Sequence, residues 1–136
     1  SLQEFDQSEV EKQRSQYAQE ARERWGQTDA YRESEKRTAA YGKQEWAAVR
    51  AESDAIMREF AALVGQAPDS PAVQAAVGKW QAHISARYYA CTDSILAGLG
   101  EMYLADERFT KTLESFGTGT AKLMSDGIRA YCNARK

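Results

Sequence analysis

Ser70-Pro71 opens the stretch that most limits what this chain can become. Serine is a strong N-cap and proline is preorganised for the first helical position, so a helix is expected to start here. Val73, Val77, Trp80, Ile84 and Tyr88 follow at spacings of four, three, four and four. Those positions form one continuous face of a helix about 18 residues long. After a break at Cys91-Thr92 an apolar stripe resumes at Ile95, Leu96, Leu99, Met102 and Tyr103, on a second, shorter helix. The two helices are expected to form the floor of the core and one wall of a ligand pocket.

The remainder of the chain also reads as helix. The two prolines stand at positions 68 and 71, so nothing interrupts helices elsewhere. Runs of alternating β-branched residues are absent, and the expected fold class is all-α. Gln7 to Arg24 is charged, with sparse apolar positions at Val10, Tyr17 and Ala21, and Trp25-Gly26 ends it, the glycine serving as a left-handed C-cap. Thr28 caps a helix from Asp29 to about Tyr41. Gly42 precedes a third helix with a clear core face at Trp46, Val49, Ile56, Phe60 and Leu63 or Val64, ending by Gly65. Asp106 caps a helix from Glu107 to Phe116 that buries Phe109, Leu113 and Phe116. Gly117-Thr118-Gly119 breaks the chain, and the last helix runs from about Thr120 towards Asn133, with Leu123, Met124, Ile128 and Tyr131 inward.

Seven helical segments result, and they are unequal. Those after Gly42 have complete apolar faces and those before it do not. Residues 1–41 therefore read as a weakly anchored helical hairpin, expected to be mobile unless something packs beneath it, and residues 42–136 as the core of the same domain. Ordering each backbone residue costs about 1–2 kcal/mol, and the early segment has few large apolar side chains to offset that cost.

The formal net charge of −2 argues against a broad phosphate footprint and hence against nucleic-acid binding by this stretch. No run approaches a membrane span and no signal peptide is visible, so no membrane partner and a cytoplasmic location are expected. The chain begins Ser1-Leu2-Gln3 without an initiator methionine, as expected of a domain taken from a longer protein. Cys91 and Cys132 are expected to be reduced thiols, since a chain of 136 residues can build a core without a staple.

Candidate chemistry is sparse. His83 is the single histidine; with no second ligand at metal spacing, no zinc site can be built around it. It reads as a partly buried histidine bonded by a neighbouring helix, as a contact to a bound ligand, or, at the margin, as a haem ligand. Cys91 reads as a buried inert thiol or as one activated beside the helix capped by Thr92, with Asp93 acting against that activation. Glu101 and Asp106 fit cap and ion-pair roles better than acid–base catalysis. Gly98 and Gly100 fit close helix contact better than a phosphate cradle. No catalytic set, cofactor motif or metal site is assembled, so no enzyme and no cofactor are expected. The aromatic residues are the remaining signal: Trp25, Tyr31, Tyr41, Trp80, Tyr88, Tyr89 and Tyr103 offer flat faces with one polar atom each, suited to a large, mainly apolar ligand.

Several strings, in order along the chain, carry a family resemblance. They are Arg24-Trp25-Gly26 with Thr28-Asp29-Ala30-Tyr31, then Tyr41 through Trp46, then His83-Ile84-Ser85 with Tyr88-Tyr89-Ala90-Cys91. The longest is Leu99-Gly100-Glu101-Met102-Tyr103-Leu104-Ala105-Asp106-Glu107-Arg108-Phe109. From about Glu20 to the end, the chain resembles the TipAS-type antibiotic-binding effector domain of MerR-family transcriptional activators. Gly42 departs from the Thr or Ser cap more usual in that family.

The resemblance implies a globin-like helical core without haem and an N-terminal segment that folds over a thiopeptide antibiotic. It also implies a DNA-binding winged helix and a dimerising coiled coil ahead of this domain, so that DNA is reached only through a separate N-terminal domain. The full-length protein would be a homodimer, while the isolated domain is left open to be a monomer. In the family a cysteine can become joined to dehydroalanine-containing thiopeptides, and Cys91 matches a cysteine of the aromatic-rich helix end. The expected ligand-binding residues are Trp25, Tyr31, Trp80, His83, Tyr88, Tyr89, Cys91 and Tyr103. The expected function is a non-catalytic drug-sensing domain; the alternative is a helical protein–protein interaction module without a small-molecule ligand.

Overall fold

Each helix begins where a side chain accepts its orphan N–H groups or where the backbone turns to admit one. The computed structural model describes residues 16 and 18–136, in which helices are joined by turns and there is no strand. Val10 and Tyr17, the expected anchors of the first helix, lie outside the described residues. The first helix, α1, ends at residue 25, and α2 follows over Asp29–Thr38. The others are α3 (Lys43–Ala62), α4 (Pro71–Arg87), α5 (Asp93–Ala105), α6 (Glu107–Glu114) and α7 (Thr120–Ala134).

The caps explain these boundaries. Thr28, Ser70 and Thr92 accept hydrogen bonds from the N–H groups of Tyr31, Val73 and Ile95, and Asp106 accepts one from Arg108. Gly42 has no side chain to offer α3, and its carbonyl simply accepts the first helical bond, from Trp46 N–H at 3.0 Å. Ahead of α7 the chain turns through Gly119 at φ 94°, in the left-handed region. The Glu114 carboxylate then accepts from Gly119 N–H at 3.0 Å and Ala121 N–H at 3.4 Å. That places a negative charge at the positive end of α7.

Gly26 corrects an expectation. It does not adopt the left-handed region; the glycines with positive φ are Gly65 and Gly119. Its N–H instead donates to the Arg22 carbonyl at 3.0 Å, and a Cβ there would meet that oxygen at 2.3 Å. Glycine is required by crowding rather than by handedness.

Core helix α4 packs against α2, α3 and α7, while α5 lies along α7 and α6. Phe60, Val73, Val77, Leu96, Met124 and Ile128 are completely enclosed, each worth about 1.5–3 kcal/mol of burial. Of the apolar side chains expected inward from α6, Leu113 is buried, whereas Phe109 and Phe116 pack half-buried against the core. Two glycines set the close approach of α7. At Gly100 an added Cβ would lie 3.0 Å from Ile128 Cγ2, and at Gly127 one would lie 2.9 Å from Val73 Cγ1. Gly98, on the opposite side of α5 from the core, has open space.

These contacts make opposite outcomes for two glycine-to-alanine changes. Both gain up to about 1 kcal/mol of helix propensity. Gly127→Ala also overpacks the enclosed Val73, at about 1–3 kcal/mol, and is expected to lower the denaturation midpoint. Gly98→Ala is expected to leave it unchanged or raise it, as measured by chemical denaturation.

Candidate functional site

The early hairpin is placed by the unfinished end of α4. The last carbonyls of a helix lack intrahelical donors, and at α4 two of them are met from outside. Arg37 Nη1 donates to the Ser85 carbonyl at 2.6 Å and the Tyr41 hydroxyl to the Arg87 carbonyl. Just beyond, Ala90 N–H donates to Glu33 Oε1 at 2.7 Å. A cation at a helix C-terminus is favoured by the helix dipole as well. No side chain of α2 is fully buried, so these polar ties, with the Arg108–Glu20 ion pair at 2.7 Å from α6 to α1, hold the hairpin in place. Its turn is stiffened by Thr28, whose hydroxyl donates to the Trp25 carbonyl at 2.7 Å.

Held this way, the hairpin stands off α5 and encloses a cleft of about 1060 Å³. Trp25, Ala21 and Arg24 of α1 and Tyr31 and Ser34 of α2 form one side. Ile95, Gly98, Leu99, Glu101 and Met102 of α5 form the other, with Tyr89 at one end and Asp106 to Arg108 at the opposite end. Ligand pockets commonly run about 300–1,000 Å³, so this cleft is sized for a large molecule. Its walls are mainly apolar and aromatic, with Arg24, Glu101, Asp106, Glu107 and Arg108 as the charged side chains. At the α6 end Arg108 grips Asp106 through both carboxylate oxygens, at 3.1 and 2.8 Å, and holds that carboxyl below the ordinary aspartate range.

Trp25, Tyr31 and Tyr89, three of the residues singled out from the sequence, thus come together on one cleft. The other five lie elsewhere. Trp80 Nε1 donates to the Tyr103 hydroxyl at 3.0 Å, and Tyr103 is buried. His83 is buried between α4 and α3, its ring stacked on Trp80 with centroids 5.4 Å apart and its Nδ1 3.2 Å from Glu52 Oε1. Glu52 is also gripped by Arg87, which reaches Glu45 as well. Cys91 is buried, and burial pushes its thiol up to about 11, leaving it protonated and weakly nucleophilic near neutral pH. Cys91 and Cys132 are both free thiols.

Tyr88 faces away from the cleft. It lines a second hollow of about 730 Å³ with Trp46, Val49, Lys43 and Arg50. The expected pocket wall shifts accordingly: α5 supplies it and α4, covered by three neighbours, does not. Ile95, Leu99 and Met102 are lining residues that belong to the expected apolar stripe but were not among the expected ligand-binding residues. The width of the α5 stripe was the available signal, because two adjacent apolar rows exceed what one buried face needs. Among the described residues no group of three or more His, Cys, Asp or Glu could hold a metal ion. No described helix is long and apolar enough to cross a membrane.

The sequence model of the TipAS antibiotic-recognition domain matches residues 17–131. The chain belongs to this family. Among TipAS relatives, the HTH-type transcriptional activator mta of Bacillus subtilis is 41% identical over 124 residues, covering 91% of this chain and 48% of that protein. The HTH-type transcriptional activator TipA of Streptomyces coelicolor is 41% identical over 117 residues, covering 85% and 46%. The chain therefore spans about half the length of the curated relatives it matches.

Among solved structures, TipAS from Streptomyces lividans in complex with nosiheptide superimposes with a TM-score of 0.83 at 39% identity, covering 90% of this chain and 87% of that one. The antibiotic-binding domain of a TipA-class multidrug resistance transcriptional regulator gives a TM-score of 0.61 at 32% identity, covering 67% and 99%. The all-helical TipAS fold, of a family that recognises antibiotics rather than transforming them, is thereby shown for this chain.

Two outcomes follow from the geometry around α4. Replacing Arg37 by Met or Tyr41 by Phe removes one tie each, about 0.5–1.5 kcal/mol. Hydrogen exchange in α2 is expected to quicken by roughly three- to tenfold, with the thermal midpoint of the core little changed. His83 titrates below its ordinary value because burial disfavours the imidazolium more than Glu52 favours it. The unfolded chain then takes up a proton more readily, so the stability held above about pH 6.5 is lost as pH falls towards the folded value. Denaturation midpoints from pH 8 to pH 5 should show that fall, and His83→Gln should flatten it.

Proposed function

We propose that this chain is the drug-sensing part of a MerR-type transcriptional activator, binding a large, mainly apolar antibiotic of the thiopeptide class in the cleft between α1–α2 and α5. The observation that carries this reading is the cleft itself. A domain of the antibiotic-recognition family keeps about 1060 Å³ open between an aromatic hairpin and an apolar helix face. Such a face would be covered in a purely structural bundle. Trp25, Tyr31 and Tyr89 supply rigid rings that bury much area at little ordering cost.

Residues 1–41 act as the lid and 42–136 as the core in this proposal. Because no side chain of α2 is fully buried, ligand contact adds apolar burial that this part of the hairpin lacks, at about 25 cal/mol per Å². Part of that gain is offset by ordering. A small polar metabolite would supply too little of it. In the whole regulator, DNA contact and dimerisation belong to segments outside this stretch, the protein works in the cytoplasm where its DNA lies, and no cofactor or catalytic step takes part.

Nosiheptide, the ligand of the Streptomyces lividans TipAS structure, is the test compound. Titration followed by tryptophan fluorescence and calorimetry is expected to show tight binding, and amides between residues 18 and 41 should gain exchange protection. Trp25→Ala or Tyr89→Ala should weaken binding by about 10- to 100-fold, about 1.4–2.7 kcal/mol. Absence of binding by nosiheptide and by related thiopeptides would sink the reading.

A further inference from the structure

The wall that α5 turns to the cleft has a chemical pattern that size and apolarity do not account for. Ser94, Gly98, Glu101 and Ala105 recur at spacings of four, three and four and all line the cleft, so they form one row along the helix. Ser94 and Ala105 are small, and Gly98 has nothing within 4 Å of where its Cβ would stand. The adjacent row, Ile95, Leu99 and Met102, is apolar. A molecule lying along α5 can thus approach the helix closely and meets one long polar side chain in the middle of the row, the Glu101 carboxylate.

Most of the other charges around the cleft have a charged or aromatic partner. Arg108 holds Asp106 and Glu20, at 2.8 and 2.7 Å. Arg24 lies 4.9 Å over the Trp25 ring and is near enough to favour the ionised form of Asp106. Glu107 sits in the first turn of α6, where the helix dipole favours a negative charge. Glu101 stands in the ninth position of α5, away from the helix N-terminus, and its carboxylate has no ion pair or hydrogen bond to any other described residue. It is exposed to water while the cleft is open. A large ligand that covers it removes that water, and a covered carboxylate without a donor is strongly penalised. A ligand that brings an N–H donor, above all a charged one, meets no such penalty.

We propose that the cleft selects, among large apolar molecules, those that present a protonated amine or comparable cationic donor to Glu101, which makes Glu101 a specificity-determining residue. This rests on the binding function proposed above.

Two xanthene dyes of similar framework and opposite charge, cationic rhodamine 6G and anionic fluorescein, separate charge selection from size, with nosiheptide as the reference for that function. At about 0.1 M salt, where exposed charges are screened beyond about 10 Å, rhodamine 6G is expected to bind the full chain at least about tenfold more tightly than fluorescein. Glu101→Gln should lower rhodamine affinity by roughly five- to tenfold. Glu59→Gln, which removes the same charge from the Lys79 ion pair on α3, should change neither dye. Equal affinities for the two dyes, or a rhodamine affinity indifferent to Glu101→Gln, would overturn the inference even with nosiheptide bound. Nosiheptide failing alone would count against the thiopeptide reading and leave the dye comparison to decide this one; failure of all three would overturn both.

Discussion

A helix buried on three sides still has to satisfy the carbonyls at its end, and here that need shapes the molecule. The 17 residues of α4 are held by α2, α3 and α7, but nothing within α4 can donate to Ser85 or Arg87 once the chain leaves the helical path at Tyr88. Arg37 and Tyr41 do so. The hairpin that carries them is thereby hung from the end of the core rather than packed into it, and the space between it and α5 is left open. Tyr88 and Tyr89, consecutive in the turn that follows, face the two hollows on either side of this junction.

The core is correspondingly one-sided. On α5, Leu96, Gly100 and Tyr103 are buried, and the missing side chain at Gly100 lets Ile128 come close. The neighbouring row, Ile95, Leu99 and Met102, is left half-covered. Stability is concentrated in α3, α4, α5 and α7, where side chains interlock, and is low in α1 and α2, where hydrogen bonds and ion pairs near water contribute modestly. A domain built this way can change the seating of its outer hairpin without disturbing its body.

Much of the fold was legible because helix boundaries are local chemistry. Thr28, Ser70, Thr92 and Asp106 cap as their residue types suggest, and the Gly117-Thr118-Gly119 break falls where expected. Gly26 was misread for an instructive reason: glycine at a helix end answers either to handedness or to crowding, and the crowding atom, the Arg22 carbonyl, becomes visible only with the turn in place. The lining of the candidate cleft was legible in part. Trp25, Tyr31 and Tyr89 meet on the cleft, but Trp80 and Tyr103 satisfy each other across the core. A tyrosine that lines a cavity and one that completes an interior hydrogen bond look alike in a sequence.

By itself, then, the amino-acid order determined an all-helical chain, where its helices begin, and the inequality between a sparse leading segment and a well-furnished body. These follow from side chains acting within a few residues of themselves. Which apolar row of α5 is enclosed and which is open, which aromatics share a wall, and which carboxylates face the cleft were decided by the tertiary structure. Each depends on what lies opposite, and only long-range packing supplies the opposite side.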